Sequence, residues 1–398
     1  MTGRESISAG RHDPSLRVLQ VGPLYTNHLR RWSGHARALG CTVWAAGHLR
    51  PGRQPVDLDD LVERVDVAPP ELYQSDMAYH ATWLRGVIGD VRPDVVQAHW
   101  LPRWGCCATH SGHPGVVVTP WGSDVYRGTP AERARAEQAL TGASAVLARS
   151  PHMLRELLDR GADPRRTHRV DLGVDLEQFR PPRSGERERL RARLGLPDGP
   201  VVLSFRAGAA LYHLDMVLDA FALLRARVAD AALVVAHGPS LSDPLRARLG
   251  GLGPADGVHV AGDVPHSDMP RYLRAATVGV SIPGSDGSPN SVWEALACGL
   301  PVVLSDLPQL AERVGGSGAA VLVERRAHAV ARALHDVVVH PARQARMAQA
   351  ARAWSVANSD QREQVARLGA VYDAVAKRSS TQAADGSRTA PALSSSDR

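Results

Sequence analysis

Two carboxylates, Asp286 and Glu294, stand with seven residues between them in the stretch Ile282-Pro283-Gly284-Ser285-Asp286-Gly287-Ser288-Pro289-Asn290-Ser291-Val292-Trp293-Glu294. An apolar run ends at Ile282, a Gly/Ser/Asp loop follows, and Pro289 stands where the first turn of a helix tolerates proline. The first N–H groups of such a helix, at Asn290, Ser291 and Val292, lack intrahelical partners and favour anions, so a phosphate is expected there, with Ser288 beside it. A carboxylate repels a phosphate and therefore needs another reason to be present. The simplest is that Asp286 and Glu294 accept hydrogen bonds from the hydroxyls of two sugars, one a ribose, with a diphosphate between them.

Arg206, in Ser204-Phe205-Arg206-Ala207-Gly208, offers a planar fork suited to phosphate oxygens. Lys377 is the only lysine among 47 lysines and arginines. Pyridoxal Schiff-base chemistry, a Walker-type phosphate lysine and a lysine general base are therefore not expected. Any phosphate must be held by arginine, backbone N–H groups or helix N-termini. In the first half, Gly22 opens a loop (22–28) expected to bind a ligand, and His99 ends its own apolar run as an imidazole candidate. His237 is read as structural, and the acidic 57–60 segment as solvated.

These residues need elements to position them. Short β-branched runs alternate with stretches of helical period, which predicts βαβ units and parallel sheets, an α/β class. The runs are 16–21, 41–46, 94–98, 116–119, 145–148 and 168–172, then 201–205, 232–236, 258–261, 278–282, 302–304 and 320–323. Segments 28–39 and 77–91 have amphipathic helical spacing. The sequence divides best near residue 180, into an N-terminal Rossmann-like domain (1–178) and a C-terminal one (179–357). Their sheets would face a central cleft, a terminal helix near 358–376 would pack back on the first, and 378–398 reads as a disordered tail.

Apolar residues make up 44%, charged residues 22% and aromatics 5%, with a net charge of +6, and no dense basic run with interleaved aromatics appears. A nucleic-acid partner is not expected. Cys41, Cys106, Cys107 and Cys298 lack C-x-x-C spacing and read as reduced and buried. No apolar leader and no run of 18 apolar residues occurs, so the expected compartment is the cytoplasm.

Asp286-x7-Glu294 followed by Ala295-Leu296-Ala297-Cys298-Gly299-Leu300-Pro301 resembles the E-x7-E motif of retaining GT-B glycosyltransferases, family 4 (group 1). The resemblance runs over nearly the whole chain. It implies that Glu294 binds the nucleotide ribose, that Asp286 contacts the donor sugar and that Arg206 contacts the diphosphate. The segment 258–265 is similar to the family's nucleobase cradle, which brings in Val264. The Trp121-Gly122-Ser123-Asp124 form is similar to one branch of the family and implies Asp124 as a polar reader. Three departures stand out: aspartate at the first acid, no diphosphate lysine after Arg206, and Trp121 where many members carry histidine.

The implied reaction moves a sugar from a nucleoside-diphosphate donor to a small-molecule or envelope-glycan acceptor with retention, without a metal or a bound cofactor. Arginine-for-lysine usage fits a GC-rich coding sequence and thereby natural-product biosynthesis. Basic residues at Arg30, Arg31, His35 and Arg37 raise the question of an anionic membrane surface, a solvated helix face being favoured. A monomer or homodimer is expected. A catalytically impaired nucleotide-sugar-binding partner protein and a non-hydrolysing sugar-nucleotide epimerase remain as alternatives; a phosphorylase-like enzyme does not, for want of a pyridoxal lysine.

Overall fold

A computed structural model describes residues 12–73, 77–238 and 241–384. The chain forms two compact units. One comprises residues up to Leu172 together with those from Arg362 onward, and the other is Gly173–Gln361. The division falls at residue 172 rather than 178, because Val174 is already tied into the second unit: its N–H donates to Ser359 O at 2.7 Å and it bridges to Asp360.

The first unit carries β1 (Arg17–Pro23), β2 (Thr42–His48), β3 (Val65–Val67), β4 (Val95–His99), β5 (Val116–Thr119), β6 (Ala145–Ala148) and β7 (Thr167–Arg169). They form one parallel sheet in the order β3-β2-β1-β4-β5-β6-β7. The β-branched runs become central strands because both sheet faces are covered, and β1, β4 and β5 are buried nearly throughout. Strand β3 is short and half polar, and no apolar run announced it.

The C-terminal helix, Gln361–Ala384, belongs to this unit from Arg362 onward. Leu368, Val371, Tyr372 and Val375 are buried among Val18, Trp32, Val95 and Val117. The segment expected to be disordered from 378 is helical as far as Ala384. Ser379, Ser380 and Thr381 return their hydroxyls to carbonyls four residues back, and Arg378 donates to Ser144 O at 3.1 Å, so the polar residues are satisfied within a helix. The rest of that tail lies outside the described residues, as do residues 1–11.

The second unit carries β8 (Val201–Ser204), β9 (Ala232–Ala236), β10 (Val258–Gly262), β11 (Val278–Ser281), β12 (Val302–Ser305) and β13 (Ala320–Val323), all parallel in the order β10-β9-β8-β11-β12-β13. Each sheet is Rossmann-like: strand order reverses between β1 and β4 in the first and between β8 and β11 in the second. Loops leaving such neighbours diverge to opposite faces and open a crevice at the carboxyl ends, where ligands bind. Helix Asn290–Ala297 follows β11 and buries Val292, Trp293, Ala295 and Leu296 in the core under that sheet.

Candidate active site

In the second unit Arg206 follows β8 and Asp286 follows β11, so the switch point brings the two loops together. Arg206 donates from Nη2 to Asp286 Oδ2 at 2.6 Å and from Nη1 to Ser291 Oγ at 3.0 Å. Its guanidinium lies 4.3 Å from the centre of the Tyr212 ring. Both side chains of the pair are about one-tenth exposed, at 10% and 11%. Burial works against the arginine's charge, but the Asp286 carboxylate and Tyr212 outweigh it and raise its pKa further. The site thus contains a fixed cation already matched by one anion.

Glu294, one turn into the helix, is buried, and its Oε1 accepts from His266 Nε2 at 3.0 Å. His266 lies in the loop after β10, two residues beyond Val264, with its ring 5.4 Å from that of Phe179. Sequence reasoning passed over His266. The available signal was its place in the loop leaving the carboxyl end of β10, where segment 263–268 holds no other imidazole. Further pins join these loops: Gly208 N–H donates to His237 O at 2.6 Å, and His237 N–H to Gly262 O at 3.0 Å.

Two expectations at the motif are corrected. Ser288 Oγ accepts from Trp293 Nε1 and from Arg313 Nη1, each at 2.9 Å. Arg313 is itself stacked 4.4 Å over the Trp293 ring. Buried and held this way, Ser288 anchors the loop from beneath. Val292 is not a free donor either, because its N–H bonds to Pro289 O at 2.9 Å and its side chain is wholly buried. Pro289 occupies the N-cap, one position before its expected place, and supplies no N–H. Asn290 opens the helix, and the Ser291 N–H has no partner among the described residues.

In the first unit the β1/β4 switch point brings Gly22 against His99: a Cβ on Gly22 would lie 3.0 Å from His99 Cβ. His99 is fully buried and pairs through Nε2 with Gln20 Oε1 at 2.8 Å, in a network that includes Gln97, Thr119 and Tyr372. Burial, reinforced by Arg149, lowers its pKa to about 3, so the ring is neutral near pH 7 and is no reservoir of a catalytic proton. Among the described residues His99 Nδ1, His28 Nδ1, Trp32 Nε1 and Trp121 Nε1 are buried without a hydrogen-bond partner. Their rings touch: His28 stacks on Trp121 with centroids 4.7 Å apart, and His99 lies 6.2 Å from both Trp32 and Trp121.

Asp124 is a third correction. Its Oδ1 accepts from the N–H groups of Trp121 and Gly122, each at 2.8 Å, and its Oδ2 from Leu101 N–H at 3.0 Å. Burial raises its pKa while these backbone bonds oppose the rise. The carboxylate shapes the loop that presents Trp121. The basic helix Asn27–Ala38 is also internally engaged: Arg30 donates to Asp57 O at 2.8 Å, Arg37 pairs with Glu63, and buried His35 bonds to Leu172 O at 2.7 Å.

Residues 186–354 match the family model described as glycosyl transferases group 1, and residues 26–178 match glycosyltransferase family 4. A D-inositol 3-phosphate glycosyltransferase from Frankia alni is 31% identical over 321 residues, covering 73% of this chain and 76% of the relative. D-inositol 3-phosphate glycosyltransferase 1 from Catenulispora acidiphila is 34% identical over 58% of this chain and 60% of its own length. The chain thus spans less than two thirds of several of these curated relatives. Among solved structures, sucrose-phosphate synthase from Thermosynechococcus elongatus has a TM-score of 0.76 at 18% identity, covering 90% of this chain and 99% of that one. Anabaena HepE in complex with UDP-glucose has a TM-score of 0.68 at 16% identity, covering 92% and 100%.

Proposed function

Because the chain belongs to the group 1 glycosyltransferases of family 4 and has their GT-B fold, we propose that it transfers a sugar from a nucleoside-diphosphate donor to a hydroxylated acceptor, with retention and without a metal. The observation that carries this reading is the set Arg206, Asp286, Ser291 and Glu294 gathered at one switch point of the second unit. In this reading Glu294, oriented by His266, accepts from the ribose hydroxyls. Arg206 and the first turn of the Asn290–Ala297 helix face the diphosphate, and Asp286 accepts from a hydroxyl of the donor sugar.

The bond between the anomeric carbon and the diphosphate oxygen breaks, and its electron pair stays with the diphosphate. The acceptor oxygen forms the new bond on the same face, and its proton passes to the leaving diphosphate. That route asks the protein for placement and for a cation beside the departing oxygen, which Arg206 supplies. It needs no side-chain nucleophile, and the neutral state of His99 suits it.

For the acceptor, the relatives' names suggest a phosphorylated cyclitol. A small-molecule product of natural-product or envelope metabolism, made in the cytoplasm, is the corresponding role.

The test is a transfer assay with UDP- and GDP-sugars against inositol phosphate, read by NMR of the anomeric proton. Retention of the donor's configuration is expected. An inverted product overturns the mechanism. Donor binding with neither transfer nor slow donor hydrolysis favours the impaired nucleotide-sugar-binding protein.

A further inference from the structure

A departing diphosphate carries at least two negative charges, and the groups facing it in the second unit do not balance them. Arg206 is paired with Asp286, Pro289 has no N–H and the Val292 N–H is already bonded. Arg313 is held under the loop by Ser288 and the rings of Trp293 and Trp354. Lys377 lies in the C-terminal helix of the other unit.

Two basic side chains nevertheless converge on the motif loop itself. A Cβ built on Gly284 would lie 3.1 Å from Arg325 Nη1 and 3.2 Å from His213 Nε2. Neither side chain makes a hydrogen bond or ion pair among the described residues, whereas the adjacent Arg326 is paired with Glu324. The arrangement is built rather than incidental. Gly284 N–H donates to Leu211 O at 2.8 Å, which ties the 210–212 turn to the loop. His213 holds a left-handed φ of +46°, uncommon for a residue with a side chain, and this turns the chain as it enters the next helix. A side chain at 284 would press on both ends and require them to shift by a few tenths of an ångström.

We propose that His213 and Arg325 form a second anion-binding arm, which takes the donor's β-phosphate. The inference rests on the transferase reading above. Within that reading Glu294 marks the ribose end of the donor and Asp286 the sugar end. Gly284 lies on the Asp286 side, so the phosphate nearest the two basic groups is the one bonded to the sugar. Arg325 offers a rigid fork of N–H donors and His213 a ring nitrogen, the chemistry of phosphate recognition without lysine.

The test compares nucleoside diphosphates with monophosphates, using calorimetric titration of UDP and UMP, and of GDP and GMP, into the full chain. The variants are Arg325→Gln, His213→Asn, their combination and Arg325→Lys; asparagine tolerates the left-handed backbone that His213 requires. Each single loss is expected to weaken the preferred diphosphate about tenfold, and the double variant more, with the monophosphate unchanged. Arg325→Lys should retain most of the affinity.

A double variant that binds the diphosphate like wild type overturns the proposal, as does an equal loss for the monophosphate. Wild-type chain binding none of the four nucleotides overturns the transferase reading itself, and this arm with it.

Discussion

Ser288 and His266 mark two limits of reading a site from residue types. Arg206, Asp286, Ser291 and Glu294 stand out by type and spacing, and the fold brings them to one switch point. Which way a loop side chain turns is not fixed by type and spacing: the Ser288 oxygen holds Trp293 and Arg313. Ser288→Ala leaves two donors without their acceptor and should cost about 1–3 kcal/mol of stability by urea denaturation. His266 escaped notice because its partner, Glu294, is 28 residues away. His266→Gln keeps a donor toward Glu294 and should preserve most nucleotide affinity, whereas His266→Ala should lower it several-fold; equal affinities would remove His266 from the site.

At the scale of elements, the strands were legible because a parallel strand covered on both faces must be a continuous apolar run, as 116–119 and 232–236 are. Sheet order was not legible, since pairing depends on contacts far apart in sequence. The order explains why Gly22 meets His99 and why Arg206 meets Asp286. It also identifies a constraint between β1 and β2: a Cβ on Gly47 would lie 1.7 Å from Gly22 O. Gly47→Ala must force these strands apart and should cost about 3 kcal/mol. Gly34, in the helix Asn27–Ala38, has nothing within 4 Å of its Cβ position, so Gly34→Ala should stabilise by roughly 0.5–1 kcal/mol. Urea midpoints moving in the same direction for both variants would contradict this account.

For the molecule as a whole, burial sets an acid limit. Burial lowers His35 and His48 to about 4 and His99 to about 3, against an ordinary 6.5. Between those values the unfolded chain binds protons that the folded chain does not. Stability is therefore complete above about pH 6.5 and falls as pH drops toward 4, by roughly 1 kcal/mol per pH unit for each histidine. Denaturation at pH 7, 6 and 5 should show the decline, and His35→Gln should make it shallower. The arginine-rich, nearly lysine-free composition acquires a local meaning as well: every side chain proposed to hold the diphosphate's charge is an arginine or a histidine, none a lysine. The central claim is that the second unit's switch point holds a nucleoside diphosphate. Its most direct test is the affinity of UDP and GDP for the wild-type chain, Glu294→Ala and Arg206→Ala. The account predicts that one diphosphate binds the wild-type chain and that each variant loses about tenfold or more; unchanged affinity in both variants would contradict it.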